Sequence, residues 1–488
     1  MSGSTETIHA LMLIGGEWRE AVDGRVLPVE APGDRTVFGE IPRGGARDVD
    51  AAVEAAAAAF DSWRRTTPTE RARLLREVAD RLAARVEETA RSIARETGNA
   101  LRTQARGEAR LAVDTLHYFA GVAGELKGQT VPLGDDVLSY TRREPLGVVG
   151  AIIPWNGPVG LAALKIAPAV AAGNTIVVKA AEDASICVLE LAALFDEVFP
   201  PGVVNVVTGL GEECGAALAR HPALAKLTFT GSTEVGRLVN AAAADRIIPV
   251  SLELGGKSPC IVFPDVDLSA AVDGVMAGMR FTRQSQSCTA GSRLFLHADI
   301  YDDFLATLAD RVQSYVIGDP LEETTDIGAL INRTQFDRVC GYLEEGLAQP
   351  GAELLVGGLP PADGPLARGY FTRPTVLAQA SNEWRLAREE IFGPVLVAIR
   401  WKDDDEVIAM ANDSHYGLAG YVWTHDITKA LSTAHRLETG WVQVNRGGGQ
   451  SLGQPYGGYK ESGLGKEYSL DGMLDSFTQV KAVTVGLA

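Results

Sequence analysis

The sequence lacks several features that define other classes of protein. No segment holds the roughly 18 consecutive apolar residues of a membrane span, because Lys165, Asn174 and Lys179 interrupt the most apolar region. The five cysteines show no CxxC or cysteine–histidine spacing, so neither a disulfide framework nor a structural zinc site is expected. The N-terminus has no basic region ahead of an apolar run, so no secretory signal is expected. These absences favour a cytoplasmic protein without a metal.

Positive charge is scarce as well. The chain carries 45 Lys and Arg against 63 Asp and Glu, a formal net charge of -18, so the clustered cations of a nucleic-acid binder are not expected. Hydrophobic residues at 46% and charged residues at 22% match an ordinary globular protein. A length of 488 residues exceeds one compact core, and we therefore expect two or three domains.

What the sequence does contain is a regular alternation of apolar strands and helices between residues 148 and 256. The strand patterns are VVGAII, TIVVK, VVNVV, KLTF and PVSLEL. This alternation predicts right-handed βαβ units and a parallel sheet covered on both faces, so the fold class is α/β. A second α/β cycle follows from Pro259 to about Trp441. Ligands are expected at the carboxyl ends of the strands.

Cys288 is the cysteine whose surroundings differ from the rest, since it lies in the polar stretch FTRQSQSCTAGSR. The other four, Cys187, Cys214, Cys260 and Cys340, have apolar neighbours and are expected to be small buried hydrophobes. A polar context favours a reactive thiol over a structural one. We therefore predict a chemical role for Cys288.

Two further polar residues follow strands at the expected ligand edge. The amide of Asn156 can donate to a developing oxyanion or cap the next helix. Glu253 ends the strand PVSLE, where a raised pKa would suit a general base acting on water. Strand alternation places the side chains of Glu253 and Ser251 on the same face, opposite the apolar one. This pattern by itself favours exposure of Glu253 to solvent. The residues alone leave both alternatives open.

A nucleotide site is indicated by two short segments, although no GxGxxG fingerprint follows the first parallel strand. Gly231 and Ser232 open a helix in GSTEVG, where backbone N–H groups can bind a pyrophosphate or form an ordinary cap. Lys179 and Glu182 follow the strand TIVVK. A carboxylate there can accept from both ribose hydroxyls and would repel a 2′-phosphate, which favours NAD over NADP. The alternative is a solvated ion pair.

Taken together and in this order, the segments resemble the aldehyde dehydrogenase superfamily, of the NAD(P)-dependent, non-acylating type. The match runs through LIGGEW, PWN, VVK-x-x-E, GSTEVG, LELGGKSP, the segment ending at Cys288, EEIFGPV and PYGGYK-x-SG. The resemblance implies a Rossmann-like cofactor domain, a second α/β catalytic domain and a small β oligomerisation arm. The implied bounds are residues 1–125 and 146–255 for NAD binding, 256–446 for catalysis, 126–145 and 470–488 for the arm, and 447–469 for a glycine-rich segment returning to the cofactor domain.

The resemblance also implies the reaction, which is oxidation of an aldehyde to the carboxylic acid with NAD as hydride acceptor. Cys288 would attack the aldehyde, Asn156 and the Cys288 backbone N–H would hold the oxyanion, and Glu253 would activate water to hydrolyse the thioester. Expected partners are a small-molecule aldehyde and further copies of the chain, as a homodimer or homotetramer. The residues implied to contact the cofactor are Trp155, Lys179, Glu182, Gly231, Ser232, Gly236, Leu254, Glu390 and Phe392.

The substrate tunnel implied by the resemblance differs from the usual family pattern. Its residues are Gly157, Thr282, Arg283, Arg446, Tyr456 and Glu467. Gly157 and Thr282 replace positions that are often aromatic in relatives acting on small aldehydes, while Arg283 and Ser285 stand where Asn and Gly are typical. We therefore expect a bulkier or more polar substrate than acetaldehyde, including an anionic one met by Arg283 or Arg446. The rival hypotheses are a CoA-acylating dehydrogenase and a non-catalytic structural member of the fold.

Overall fold

The computed structural model describes residues 7–487 and contains two large, mainly parallel sheets. The first has eight strands, and its five central strands run parallel to one another as the sequence predicts. From one edge to the other they are β22 (Gly463–Leu464), β12 (Val250–Glu253), β11 (Lys226–Thr230), β8 (Val148–Ile152), β9 (Thr175–Lys179), β10 (Val204–Val207), β2 (Met12–Ile14) and β3 (Glu17–Arg19).

Helices cover both faces of this sheet because its strands are apolar on both sides; every residue of β9 and β10 is buried. Next to this sheet, α4 packs against both α2 and α5. The helices of this half are α1 (Ala46–Trp63), α2 (Pro68–Ala84), α3 (Val86–Thr97), α4 (Arg106–Val122), α5 (Pro158–Ala171), α6 (Ile186–Asp196), α7 (Ala216–Arg220) and α8 (Thr233–Ala244).

The second sheet has seven strands, of which only the edge strand β15 runs antiparallel to its neighbour. In order they are β15 (Glu353–Val356), β16 (Thr375–Ala378), β17 (Val395–Trp401), β14 (Arg293–His297), β13 (Pro259–Val262), β19 (Ala419–Trp423) and β20 (Trp441–Val444). The remaining helices are α9 (Leu268–Met279), α10 (Tyr301–Gln313), α11 (Arg333–Leu347), α12 (Arg385–Arg388), α13 (Asp404–Asn412), α14 (Ile427–Arg436) and α15 (Leu470–Phe477).

Three small sheets complete the fold. One joins the two segments of the implied arm: β7 (Val137–Pro145) lies between β6 (Thr130–Pro132) and β23 (Thr478–Gly486). The others are β1 (Ile8–His9), β5 (Thr36–Pro42) and β4 (Val26–Ala31), and the pair β18 (Tyr416–Gly417) and β21 (Tyr459–Lys460). Within residues 7–487, no helix combines the length and apolar character needed to cross a membrane. The N-terminal segment examined for a secretory signal lies partly outside the described residues.

The chain between the second sheet and the arm returns to the first sheet, and this return shapes the site. Strand β22 pairs antiparallel with β12, with Gly463 opposite Glu253. Next to it, a Cβ on Gly457 would come 2.7 Å from Oε1 of Glu253. The glycines of this segment therefore let the backbone approach the carboxyl group closely.

Candidate active site

Cys288 lies on an irregular loop between α9 and β14, with its side chain partly exposed. Its Sγ is 3.5 Å from the hydroxyl of Tyr456, which comes from the returning segment. Burial raises the pKa of the Cys288 thiol to about 11, and the Tyr456 hydrogen bond acts against that rise. Of the other cysteines, Cys187, Cys214 and Cys260 are buried as expected. The expectation for Cys340 was wrong, because its position on α11 leaves it partly exposed.

Asn156 follows β8 and reaches the loop of Cys288. Its Nδ2 donates to the carbonyl oxygen of Gln286 at 3.0 Å, linking two segments 130 residues apart. The alternative that Asn156 caps α5 is wrong, because the residue at the N-cap is Gly157. The helix N-terminus is instead served by Glu108, whose Oε1 accepts from the backbone N–H of Val159 at 3.0 Å. The Asn156 amide is thus free of capping and has a second N–H available.

Glu253 ends β12 and is buried, so the solvent-facing alternative is wrong. The returning segment covers the face that alternation had assigned to water, with Gly457 against the Glu253 carboxyl group and Gly465 against Ser251. Both carboxyl oxygens are buried without a hydrogen-bond partner among residues 7–487. Burial and then the neighbouring Glu467 raise the pKa of Glu253 well above its ordinary value, while Lys165 and Lys466 oppose the rise. An unpaired buried carboxyl is costly for a fold to keep, which marks it as a functional candidate.

Glu467 is a neighbour of Glu253 in space, but its carboxyl group has the ionic and hydrogen-bond partners that Glu253 lacks in the described part of the chain. It is buried and forms an ion pair with the fully buried Lys165 of α5. The Oγ1 of Thr228 also donates to it at 3.4 Å, and its backbone pairs with that of Tyr456. Lys165 is a site residue that sequence reasoning missed. The available signal was a single lysine in an otherwise apolar helix, since a buried ammonium group requires an anionic partner.

Four residues assigned to the cofactor lie at the carboxyl edge of the first sheet. Lys179 ends β9 and is buried, so its pair with Glu182, at 2.6 Å, is not the solvated one considered above. Burial acts to raise the pKa of Glu182, but the charge of Lys179, the Lys179 hydrogen bond and backbone hydrogen bonds together lower it. Ser232 begins α8, and its Oγ accepts from the Val235 backbone N–H at 3.3 Å, so it does act as a cap. Gly231 precedes it on the loop after β11.

The remaining cofactor candidates are Trp155 after β8, Leu254 after β12, Gly236 on α8, and Glu390 and Phe392 before β17. Trp155 and Phe392 meet edge to face, with ring centroids 5.3 Å apart. Glu390 accepts from the Gly256 backbone N–H at 2.9 Å, and burial raises the pKa of its carboxyl to about 7. Gly236 and Leu254 pack so closely that a Cβ on the glycine would come 2.5 Å from the leucine side chain. These polar groups, aromatic faces and a helix N-terminus on one sheet edge fit a dinucleotide.

Of the tunnel candidates, Tyr456 contacts the thiol, while Arg283 and Gly157 lie next to each other beside Asn156. A Cβ on Gly157 would lie 3.0 Å from Nη2 of Arg283, so the guanidinium occupies space above the residue that follows Asn156. Thr282 lies beside it and accepts from Gln104 at 2.6 Å. Arg446 is exposed after β20, and no hydrogen bond or ion pair in the described chain links it to the other site residues.

Ser285 stands in backbone geometry that explains why glycine is typical there. Its φ is 51°, and those of Arg280 and Gln284 are 59° and 49°, so three residues of one loop adopt the left-handed region. Such angles strain residues other than glycine by about 1–2 kcal/mol each. The side chain of Gln284 holds the loop by donating to the Gly98 carbonyl at 3.1 Å.

The fold and the site define an α/β protein with two large sheets. Its thiol lies near the carboxyl edge of the first sheet, where the residues fit a dinucleotide. The chain matches the model of the aldehyde dehydrogenase family over residues 18–483. It is 45% identical to a hydroxyisobutyraldehyde dehydrogenase of Mycolicibacterium austroafricanum, over 98% of this chain and 94% of that protein.

Solved structures agree with this match. An NAD-dependent aldehyde dehydrogenase from Sinorhizobium meliloti superimposes with a TM-score of 0.95 at 40% identity, covering 98% of this chain and 95% of that one. The NAD+ complex of an aldehyde dehydrogenase from Bacillus cereus gives 0.95 at 38% identity, covering 98% and 97%. The chain belongs to the aldehyde dehydrogenase family, and it is an NAD-dependent enzyme that oxidises an aldehyde.

Proposed function

We propose that the chain oxidises its aldehyde through a thioester on Cys288, which water activated by Glu253 then hydrolyses to the acid. The observation that carries this proposal is the convergence of three groups from distant segments. Cys288 contacts the Tyr456 hydroxyl, Asn156 is bound to the loop of the thiol, and Glu253 is buried beside the segment that carries Tyr456. A nucleophile, an oxyanion donor and a base are the groups that acyl transfer requires.

In the first step the Cys288 thiolate forms a bond to the aldehyde carbon, and the π electrons of the carbonyl group move to its oxygen, which becomes an oxyanion. One N–H of the Asn156 amide is held by the Gln286 carbonyl, which orients the other toward the reacting oxygen. The backbone N–H of Cys288 makes no hydrogen bond to another backbone group within residues 7–487 and is the second donor. Two fixed donors stabilise the developing charge without reorganisation.

The cofactor candidates fit NAD, which accepts the hydride when it is bound. We assign the adenosine and pyrophosphate to Trp155, Lys179, Glu182 and the N-terminus of α8 at Ser232. Glu390 and Phe392 would hold the nicotinamide riboside. The lowered pKa of Glu182 keeps a negative charge where the ribose hydroxyls would lie, which opposes the 2′-phosphate of NADP.

The second step is hydrolysis of the thioester. Glu253 has no partner for either oxygen among residues 7–487, so its carboxylate is free to accept a proton from water. Its raised pKa makes that carboxylate a stronger base than an exposed glutamate. Water then attacks the acyl carbon, the bond to sulfur breaks, and the acid leaves. A base in this position favours hydrolysis over transfer to CoA.

The test is NADH absorbance with and without CoA, for the native enzyme, for Cys288→Ala and for Cys340→Ala. Cys340 is the matched control because it is the other partly exposed cysteine. We expect loss of more than about 1000-fold in Cys288→Ala, no loss in Cys340→Ala and no requirement for CoA. Activity that survives in Cys288→Ala would refute the mechanism, and strict dependence on CoA would favour the acylating alternative.

For the substrate, we propose an aldehyde that is bulkier or more polar than acetaldehyde. The polar groups near Asn156 support this proposal, because the Arg283 guanidinium occupies the space beside Gly157 and Thr282 carries a hydroxyl. The branched, hydroxylated aldehyde in the name of the Mycolicibacterium relative has both properties. Steady-state comparison of acetaldehyde with branched, aromatic and carboxylated aldehydes tests this, and a clear preference for acetaldehyde would end it.

Assembly, location and domain bounds are also proposed. The arm that joins 126–145 to 470–488 presents β23 as an exposed edge strand, which favours a homodimer or homotetramer. Light scattering distinguishes either state from a 51.7 kDa monomer.

Five free cysteines favour the cytoplasm. The cofactor domain would comprise residues 1–125 and 146–255, and the catalytic domain would comprise residues 256–446. Residues 447–469 would return to the cofactor domain.

A further inference from the structure

Arg283 brings a positive charge into the site from the loop of the nucleophile. It ends the short helical turn Phe281–Arg283, five residues before Cys288. Its Nη2 would lie 3.0 Å from a Cβ on Gly157, and Gly157 directly follows Asn156. The guanidinium therefore occupies a position that a larger residue at 157 would take. Its side chain is 27% exposed, so it is open to a ligand on one side.

The position of this arginine is set by a buried acid. The Oε1 of Glu108 accepts from the backbone N–H groups of Val159 and Gly160, at 3.0 and 3.3 Å, at the start of α5. Its Oε2 accepts from Nη2 of Arg283 at 3.4 Å. Glu108 is thus shared between a helix N-terminus and the arginine, and it holds one guanidinium nitrogen at the edge of the site.

The same arginine retains unused donors. Its Nε is buried and has no hydrogen-bond partner among residues 7–487. A charged N–H without an acceptor carries a desolvation cost, and a ligand that supplies the acceptor relieves that cost on binding. Guanidinium groups match carboxylates through two parallel hydrogen bonds. The neighbouring wall at Thr282 and Gln104 is polar as well.

We propose that Arg283 is the specificity-determining residue for an aldehyde that carries a carboxylate at its far end, and that Glu108 positions it. The inference rests on the function proposed above and names the substrate class for the same site. The aldehyde carbon lies at Cys288 while the carboxylate of the substrate accepts from Arg283. A neutral aldehyde leaves those donors unsatisfied and is the poorer substrate.

The experiment compares 4-oxobutanoate and 5-oxopentanoate with their methyl esters, which keep the chain and remove the charge. The enzymes are the native protein, Arg283→Met, Arg283→Lys and the surface control Arg311→Met. Arg311 lies on α10 and pairs with Asp273 of α9. For at least one carboxylate, we expect Arg283→Met to lower kcat/KM about 100-fold, mainly through KM, and to change its ester less than about 3-fold. Arg283→Lys should recover part of the loss, and Arg311→Met should behave as native.

Retained ester oxidation in Arg283→Met shows that the variant is folded. Equal losses for acid and ester, or a native preference for the esters, would overturn the proposal while leaving aldehyde oxidation intact. If the native enzyme oxidises neither the acids nor any neutral aldehyde, the proposed function fails instead.

A second measurement needs no variant. Succinate is expected to inhibit native oxidation of a neutral aldehyde competitively, and succinamide at the same concentration is not. Equal inhibition by the two compounds, or none by succinate up to high millimolar concentration, would count against a carboxylate site.

Discussion

The carboxyl edge of the eight-stranded sheet and the loop that ends at Cys288 supply different parts of one site, and their backbones differ. At the sheet edge, Asn156, Lys179, Ser232 and Glu253 each end or follow a parallel strand. Parallel strands end at a common edge, so a single architectural rule brings these residues together.

The loop follows no such rule. Arg280, Gln284 and Ser285 adopt left-handed angles, and Gln286 accepts through its side chain from the Ile331 backbone N–H at 3.1 Å. Contacts with distant segments therefore hold the loop in shape, and strain accumulates there. The residues at the sheet edge thus follow from regular architecture, whereas the loop departs from the family pattern at Arg283 and Ser285, and we propose that it distinguishes the substrate.

The largest effect is expected for Glu253→Gln, which separates the contribution of the sheet edge from that of the loop. Glu253→Gln should lower steady-state acid formation about 1000-fold, because it removes the base at the sheet edge. The first turnover, which depends on the thiol of the loop, should remain as a burst of NADH. Stopped-flow absorbance measures both phases, and loss of the burst together with turnover would show that the two regions are not separable in this way.

The pH dependence has a defined sign. Glu253 acts as a carboxylate, and burial raises its pKa, so thioester hydrolysis should accelerate as pH rises toward that raised pKa. In Glu253→Gln the same dependence should be absent.

An intermediate effect is expected at Tyr456, which joins the two regions. Tyr456→Phe removes the hydroxyl 3.5 Å from the Cys288 sulfur, and this hydroxyl holds the pKa of the thiol lower than burial alone would. The pKa should therefore rise above about 11. We expect iodoacetamide to alkylate Cys288 about 5-fold more slowly at fixed pH, as loss of about 1 kcal/mol implies. Alkylation of Cys340 in the same sample is the internal control, and an unchanged ratio would contradict the prediction.

The smallest effect tests the strain in the loop. Ser285→Gly should stabilise the protein by about 1 kcal/mol, because glycine tolerates a φ of 51° and the buried Ser285 hydroxyl has no partner among residues 7–487. This corresponds to a rise of about 2 °C in the midpoint of thermal unfolding.

Ser287→Gly is the matched control. Ser287 has no left-handed angle, and its hydroxyl is 3.1 Å from that of Thr289, so the same change should destabilise. A fall in the midpoint for both variants would show that the loop carries no relievable strain at 285.

The sequence predicted the regular region better than the irregular one. Apolar runs and their spacing were enough for the α/β class, which the structure and its relatives confirm. Strand alternation was misleading at Glu253, because it assumed that one face of an edge-proximal strand meets water. The returning segment covers that face, because Gly457 packs against the Glu253 carboxyl group and Gly465 against the Ser251 side chain. The capping alternative for Asn156 was wrong for a related reason, since a distant acid, Glu108, serves the helix N-terminus.

The sequence by itself determined the strands, the edge at which they end and the polar setting of Cys288, because each of these depends on neighbours within a few residues. Only the tertiary structure decided the pairings across the site. Glu467 meets Lys165 over 302 residues, and Arg283 meets Glu108 over 175. Such contacts depend on which distant segments the folded chain brings together, and local periodicity does not encode that arrangement. They explain why one buried glutamate is paired while its neighbour Glu253 is not.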